Sequence, residues 1–404
     1  MFLFIIYYLL FILPFPLLHI PPPQVPHTTS MDNKEEDAPH NQIQPQGSTG
    51  VVSDSSAASA ASSLCEKITE LTSSVLETFR RKPVSYRILL VLSSAAMLTA
   101  FPASSLLSRL YYSDGGQSKW IISWAAVAGW PLTALFLIPA YFANRISPTP
   151  LSLKLLAWYI LLGFLSAADN LMFAWAYAYL PASTASLLAA SSLVFSSLFG
   201  YFIVKNRINL ASVNAIVIIT AGVVVIALDA RSDRYEGITD KQYTLGFVWD
   251  ILGSALHGLI FALSELVFIK VLGRRSFHVV LEQQVMVSFA AFAFTTLGLV
   301  VQKGFAEMRS EAERFARGGS SYAQVLFWAA VTFQLGVLGG TGVLFLASTV
   351  FAGVLNAVRV PLTSIAAVVL FQDPMSGFKI LSLVITVWGF GSYIVGHSSA
   401  NKPS

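Results

Sequence analysis

Charge is what this chain has least of. Asp, Glu, Lys and Arg make up only 11% of its 404 residues, against about 25% in a soluble domain. Hydrophobic residues reach 55% and mean hydropathy is +0.66, which excludes an ordinary globular fold. Cysteine is nearly missing: Cys65 is the only one, so a disulfide within one chain and thiolate metal ligation are both excluded. No cofactor and no metal are expected. No Asn-x-Ser/Thr sequon occurs, so the outer loops offer no acceptor for N-glycosylation. HExxH and GxSxG are absent, and the histidines of the apolar region are only His257, His278 and His397. An intramembrane enzyme is therefore disfavoured. The formal charge of +4 comes from basic residues spread through short loops rather than gathered in a patch. Positive-inside topology explains them better than a nucleic-acid partner.

What the chain has in abundance is apolar run. A helix needs roughly 20 apolar residues to span a bilayer, and windows near 86–107, 119–142, 154–178, 183–204, 209–228, 244–271, 277–301, 322–346, 349–371 and 378–396 meet that length. The fold expected is an all-α polytopic membrane protein with ten transmembrane helices. Arg80, Arg81, Lys82, Arg87, Arg145, Lys154, Lys205, Arg207, Lys270, Arg274 and Arg275 fall in gaps on one side. That side is taken as cytosolic, with both termini on it, and the plasma membrane is the expected location. In 303–318, Phe305, Met308, Ala312 and Phe315 approach one helical face, which predicts an interfacial helix on the outer side.

Residues 1–30 are apolar but broken by Pro14 and Pro16 and lack a basic lead, so they are read as an extension, with Met31 the expected start. Residues 31–84 read as a disordered cytosolic tail, and 398–404 as a second tail. Ten crossings divide into five-helix sets at 85–228 and 244–397, joined by an outer loop at 229–243. An odd number per half inverts the second set. Weak internal similarity agrees: 180–204 lies on 345–371, pairing Ser183 and Thr184 with Ser348 and Thr349. Such a repeat places a site between the halves near midplane.

Ionisable side chains at membrane depth are expensive and mark sites by default. At 100° per residue, Asp250, Ser254, His257, Ser264 and Glu265 share a sector of the sixth window. Asn170, Phe173 and Tyr177 share a face of the third, with Asp169 adjoining. The seventh opens with Glu282, Gln283 and Gln284. Trp130 stands beside Pro131, which should kink the second helix. Asp250 also reads as a solvated helix-end residue. Asp169 and Arg359 are expected to neutralise one another, since a buried charge needs a partner. In the sequence no obvious basic residue pairs with Glu265 or Glu282 along its own helix, which suits a proton carrier. Amides and carboxylates pair with the edge of a flat heterocycle while Phe, Tyr and Trp stack on its face. A sugar-nucleotide or organophosphate exchanger would want more interior Arg or Lys.

The run SRLYYSDGGQSKW at 108–120 resembles the R-L-Y-F-x-x-G-G-x-x-x-W signature of plant purine permeases. Further matches follow in order from Ala167, Phe261, Leu281, Gly342 and Ile385, so the likeness covers about 86–398. It implies a drug/metabolite transporter fold of two inverted five-helix repeats that moves adenine, cytokinins or related ring compounds with protons. The family's Asp-Asn pair falls on Asp169 and Asn170, its Val-Glu-Leu glutamate on Glu265, its Glu-x-Gln on Glu282 and Gln284, and its Trp-Gly-Phe on Trp388, Gly389 and Phe390. Two positions depart: Ser192 stands where many members have Gln, and Ser364, after Pro361, Leu362 and Thr363, where many have Glu. The expectation is a proton-coupled importer, with Glu265, Glu282 and His257 in coupling and Asn170, Asp169, Phe173, Tyr177, Ser192, Trp130 and Gln284 in the pocket. Protons, the cargo and the lipid bilayer are its expected partners.

Overall fold

The computed structural model describes residues 83–400 with short gaps at 145–146, 206–207, 209, 230–233, 236, 274–276 and 347–348. The extension at 1–30, the tail with Cys65, the flanking Arg145, Arg207, Arg274 and Arg275, and the repeat residue Ser348 lie outside the described residues. The fold is read in the unit that contains Ile88–Ser404.

Helices follow one another along the chain: α1 Val84–Ser113, α2 Lys119–Ala128, α3 Trp130–Asn144, α4 Leu153–Tyr179, α5 Ala182–Ala189, α6 Ser192–Phe199, α7 Leu210–Leu228, α8 Asp240–Val267, α9 Phe277–Val301, α10 Gly304–Arg314, α11 Gly318–Leu346, α12 Thr349–Phe371 and α13 Gly377–Ala400. Seven of the described helical segments are long and apolar enough to cross a membrane, and three shorter apolar ones lie at Ser212–Leu228, Val358–Phe371 and Gly377–Ser392. Helix is the answer hydrocarbon favours, since each backbone group is satisfied within its own segment.

Side-chain caps set several starts. Ser118 accepts from Ile121 N and Ser152 from Leu155 N. Thr239 and Gln242 form a reciprocal capping box, so α8 begins at Asp240 and the connector expected at 229–243 is shorter. The second window is not one helix kinked at Pro131. It breaks at Gly129, which caps α2, and Pro131 sits in the first turn of α3, where its missing N–H costs nothing. A Cβ at Gly129 would come within 2.4 Å of the Ala330 carbonyl, so α11 crosses against the break. The fourth window also breaks, between α5 and α6 at Ala190–Ser191, and ends in a π turn, Gly200–Val204. Nothing in its run of small residues forecast that interruption.

Packing brings α4 against α8 and α9, α6 against α8, α7 against α13, and α5 against α12. A Cβ on Gly258 would stand 2.6 Å from Ser196 N, so the α8–α6 approach is backbone to backbone. Tyr177, Leu187, Leu188, Ile219, Tyr243, Val360 and Phe390 meet in the largest apolar cluster.

Candidate functional site

Across the α4–α8 crossing, His257 Nδ1 lies 3.0 Å from Asp169 Oδ2. The Asp169 side chain is 9% exposed and that of His257 40%. The expected Asp169–Arg359 neutralisation is therefore corrected: the Asp169 partner is His257, and the Arg359 guanidinium carbon stands 5.0 Å from the Phe101 ring centroid. A cation over a ring face is stabilised without a carboxylate. The rings of Phe173 and Phe261 stand nearly perpendicular to that of His257, with centroids 6.4 and 4.8 Å away. Asn170 donates to the Ser166 carbonyl of its own helix at 3.0 Å. Tyr177 is buried one turn beyond Phe173 and interacts electrostatically with Asp250 and Arg359. Asp169, Asn170, Phe173, Tyr177 and His257 thus form one neighbourhood.

The other expected site residues make contacts of their own. Glu265 stands near the C-terminal end of α8, two residues before the helix gives way to the π turn Phe268–Leu272. Glu282 is buried and accepts from the Tyr141 hydroxyl at 2.6 Å and the Thr149 amide at 3.1 Å, tying α9 to the α3–α4 connector. Gln284 donates to Ser288 at 3.1 Å on its own helix. Trp130 packs edge-on to Phe289, centroids 5.1 Å apart. Ser192 opens α6 just past the break and is half-buried. Ser364 is fully buried, 2.9 Å from Ser186 across the α5–α12 contact. Asp250, read as a possible solvated end residue, is 0% exposed, so that reading is overturned.

The 108–120 signature builds an end cap. Tyr111 donates to Glu311 at 2.5 Å, Ser118 N and Gln117 N at 2.9 and 3.1 Å, and Tyr322 at 3.1 Å. Glu311, only 4% exposed, belongs to α10, and Phe315 beyond it is 3% exposed while Phe305 is 45% exposed. The amphipathic helix exists; Glu311 and Phe315 are buried in the protein, because the signature supplies donors to the carboxylate, while Phe305 stays exposed. Beside the cap a cavity of about 420 Å³ is lined by Arg109, Tyr112, Lys119, Tyr179 and Tyr235, among others. Arg109 stacks 3.8 Å over the Tyr235 ring and donates to the Tyr177 carbonyl. Burial raises the Tyr235 hydroxyl, Arg109 pulls it down and Asp373 raises it again. It stays a donor, and Asp373 accepts from it.

Sequence reasoning also missed a buried cluster beneath this cavity. Asp373 takes Ser183 N and Oγ at 3.1 and 2.9 Å. Lys379, fully buried, donates to Ser183 Oγ at 3.0 Å and the Pro374 carbonyl at 2.8 Å. The signal was present: Asp373 and Lys379 lie six residues apart at the start of the last apolar window. Gly389 of the Trp-Gly-Phe motif lies against Ile219 where α13 meets α7, and Trp388 is exposed while Phe390 is buried.

Apolar helices with polar groups turned inward and a cavity at one end define a multi-pass helical membrane protein. A family model described as purine nucleobase transmembrane transport matches residues 88–403. Similar proteins of Arabidopsis thaliana agree. Probable purine permease 5 is 68% identical over 83% of this chain and 93% of its own length, and probable purine permease 11 is 36% identical over 72% and 78%. Purine permease 3 is 30% identical over 74% and 87%. The chain belongs to the plant purine permease family, a family of transporters rather than enzymes.

Proposed function

We propose that this protein is a proton-coupled importer of purine-type nitrogenous heterocycles, adenine, cytokinins or related bases among them, acting at the plasma membrane with both termini in the cytosol. The observation that carries it is the Asp169–His257 pair at the α4–α8 crossing, beside the rings of Phe173 and Phe261. A titratable pair beside aromatic faces suits a flat base and a proton together.

In this reading ten helices form two inverted halves, 85–228 and 244–397, joined through 229–243. The contacts support an exchange of roles between halves. As α4 packs on α8 and α9, so α11 packs on α1, where Gly339 meets Met97, and on α2. As α6 packs on α8, so α12 meets α1 in the Met97–Leu355 cluster. The pairs α5–α12 and α7–α13 would sit on the two-fold axis. Rocking one half against the other alternates access. The pocket is assigned to Asn170, Asp169, Phe173, Tyr177 and Ser192, with Trp130 and Gln284 at its edge. Coupling is assigned to Glu265 and His257, with Glu282 second. The purine names of the relatives, purine permease 3 among them, support the cargo class.

The test is uptake of labelled adenine and a labelled cytokinin into vesicles with and without an inward proton gradient. Gradient-stimulated uptake competed by unlabelled base is expected. Uptake indifferent to the gradient removes the coupling, and competition by sugar nucleotides instead of bases removes the cargo.

A further inference from the structure

Asp250 has neither oxygen in a hydrogen bond, and no part of the residue is exposed. One turn on, Ser254 is equally buried and its hydroxyl also lacks a partner. Asp250 lies ten residues into α8, about 15 Å along the axis at 1.5 Å per residue, inside a membrane span that runs from Asp240 to Leu272. Among the elements packed against α8, α4 brings Asp169 and Tyr177, both in electrostatic reach of Asp250. Helices α5 and α6 bring no titratable side chain, and the turn after α6 brings Tyr201, which is half exposed. Arg359 acts on Tyr177 and stacks on Phe101. No cation faces Asp250 among the described residues. A bare carboxylate at that depth is not tolerated unless something neutralises it.

His257 lies seven residues further along, within about 20° of the same face, and Ser254 stands between the two. We propose that Asp250 carries the coupled proton through the enclosed part of α8 and passes it to the Asp169–His257 pair by way of Ser254, whose hydroxyl turns to hydrogen-bond each in the transfer. The proton leaves an Asp250 oxygen and arrives on the His257 ring, whose new charge Asp169 offsets, and Asp250 is anionic only until the alternation of access opens it to the outer aqueous phase, which supplies the next proton. Its complete enclosure keeps water from short-circuiting the step. Glu265, further down the same helix face, receives the proton last. This rests on the proton-coupled reading above.

The experiment uses full-length protein in proteoliposomes with labelled adenine and a labelled cytokinin. With one proton per base, a gradient of one pH unit drives about tenfold accumulation in the wild type. D250N is expected to fall to no accumulation while retaining counterflow exchange. D250E, which keeps a titratable carboxyl, is expected to accumulate cargo with a shifted pH midpoint. Accumulation by D250N at the wild-type level overturns the assignment to Asp250 and leaves coupling intact. Loss of counterflow in D250N and D250E alike overturns it in favour of a packing role. A wild type that exchanges cargo but ignores the gradient overturns coupling and this assignment together. Where D250N does not fold, D250E decides, and an unchanged pH midpoint is the refuting result.

Discussion

Glu311 receives the Tyr111 hydroxyl at 2.5 Å, joining α10 to the end of α1 across a separation of 200 residues. The same carboxylate holds Ser118 N, Gln117 N and Tyr322. E311A strands these donors in a buried place, and a cost of roughly 2–4 kcal/mol is expected. Thermal unfolding in detergent measures it. Y111F removes one donor and should cost about a third as much.

Asp114 lies in the connector after α1, where burial raises its carboxyl and the Arg317 guanidinium, at 3.0 Å, pulls it down. An aspartate raised on folding favours the fold below its unfolded value of 3.8 and loses that contribution as pH rises through the folded value. Removing Arg317 raises it further. R317A should therefore lose more stability relative to wild type at pH 7 than at pH 4, which melting curves at the two values will show.

Glu265→Gln is expected to abolish accumulation driven by a pH gradient in proteoliposomes while exchange persists. Unchanged gradient-driven uptake would remove Glu265 from the mechanism.

Ser192 opens α6 beside the helix break, whereas Ser364 fills a closed contact with Ser186. S192Q should raise the potency of adenine as a competitor of cytokinin uptake, by about tenfold if the amide makes one good hydrogen bond. S364E inserts a longer charged chain into a sealed site and is expected to lower membrane expression instead. Competition curves and protein yield separate the two.

Gly258→Ala sets a methyl group against Ser196 N, where only backbone can yield. Overpacking of this kind costs about 1–3 kcal/mol, measurable as a lower melting temperature.

The apolar windows made the helices legible, because hydropathy reports directly on a solvent without hydrogen bonds. The ordered motifs from Ser108 to His397 made the family legible. The site was readable only in part. Asn170, Phe173 and Tyr177 share a face by periodicity alone, but the His257–Asp169 pairing depends on how α4 crosses α8, which no single helix encodes. Asp250 looked peripheral because the apolar run begins at Thr244, not far upstream, whereas its burial comes from the packing of α4, α5 and α6 on α8. Glu311 did not stand out in the sequence because most of its donors, Tyr111, Gln117 and Ser118, lie some two hundred positions upstream.

Arg109, Tyr235, Asp373, Ser183 and Lys379 join α1, the connector before α8, the connector after α12, α5 and α13 in one set of contacts. Neighbouring contacts share a side chain, so the loss of one loosens the next. On the alternating-access reading proposed above, opening that end of the bundle would carry a large activation enthalpy, and transport should slow far more steeply on cooling than diffusion of the base through water does.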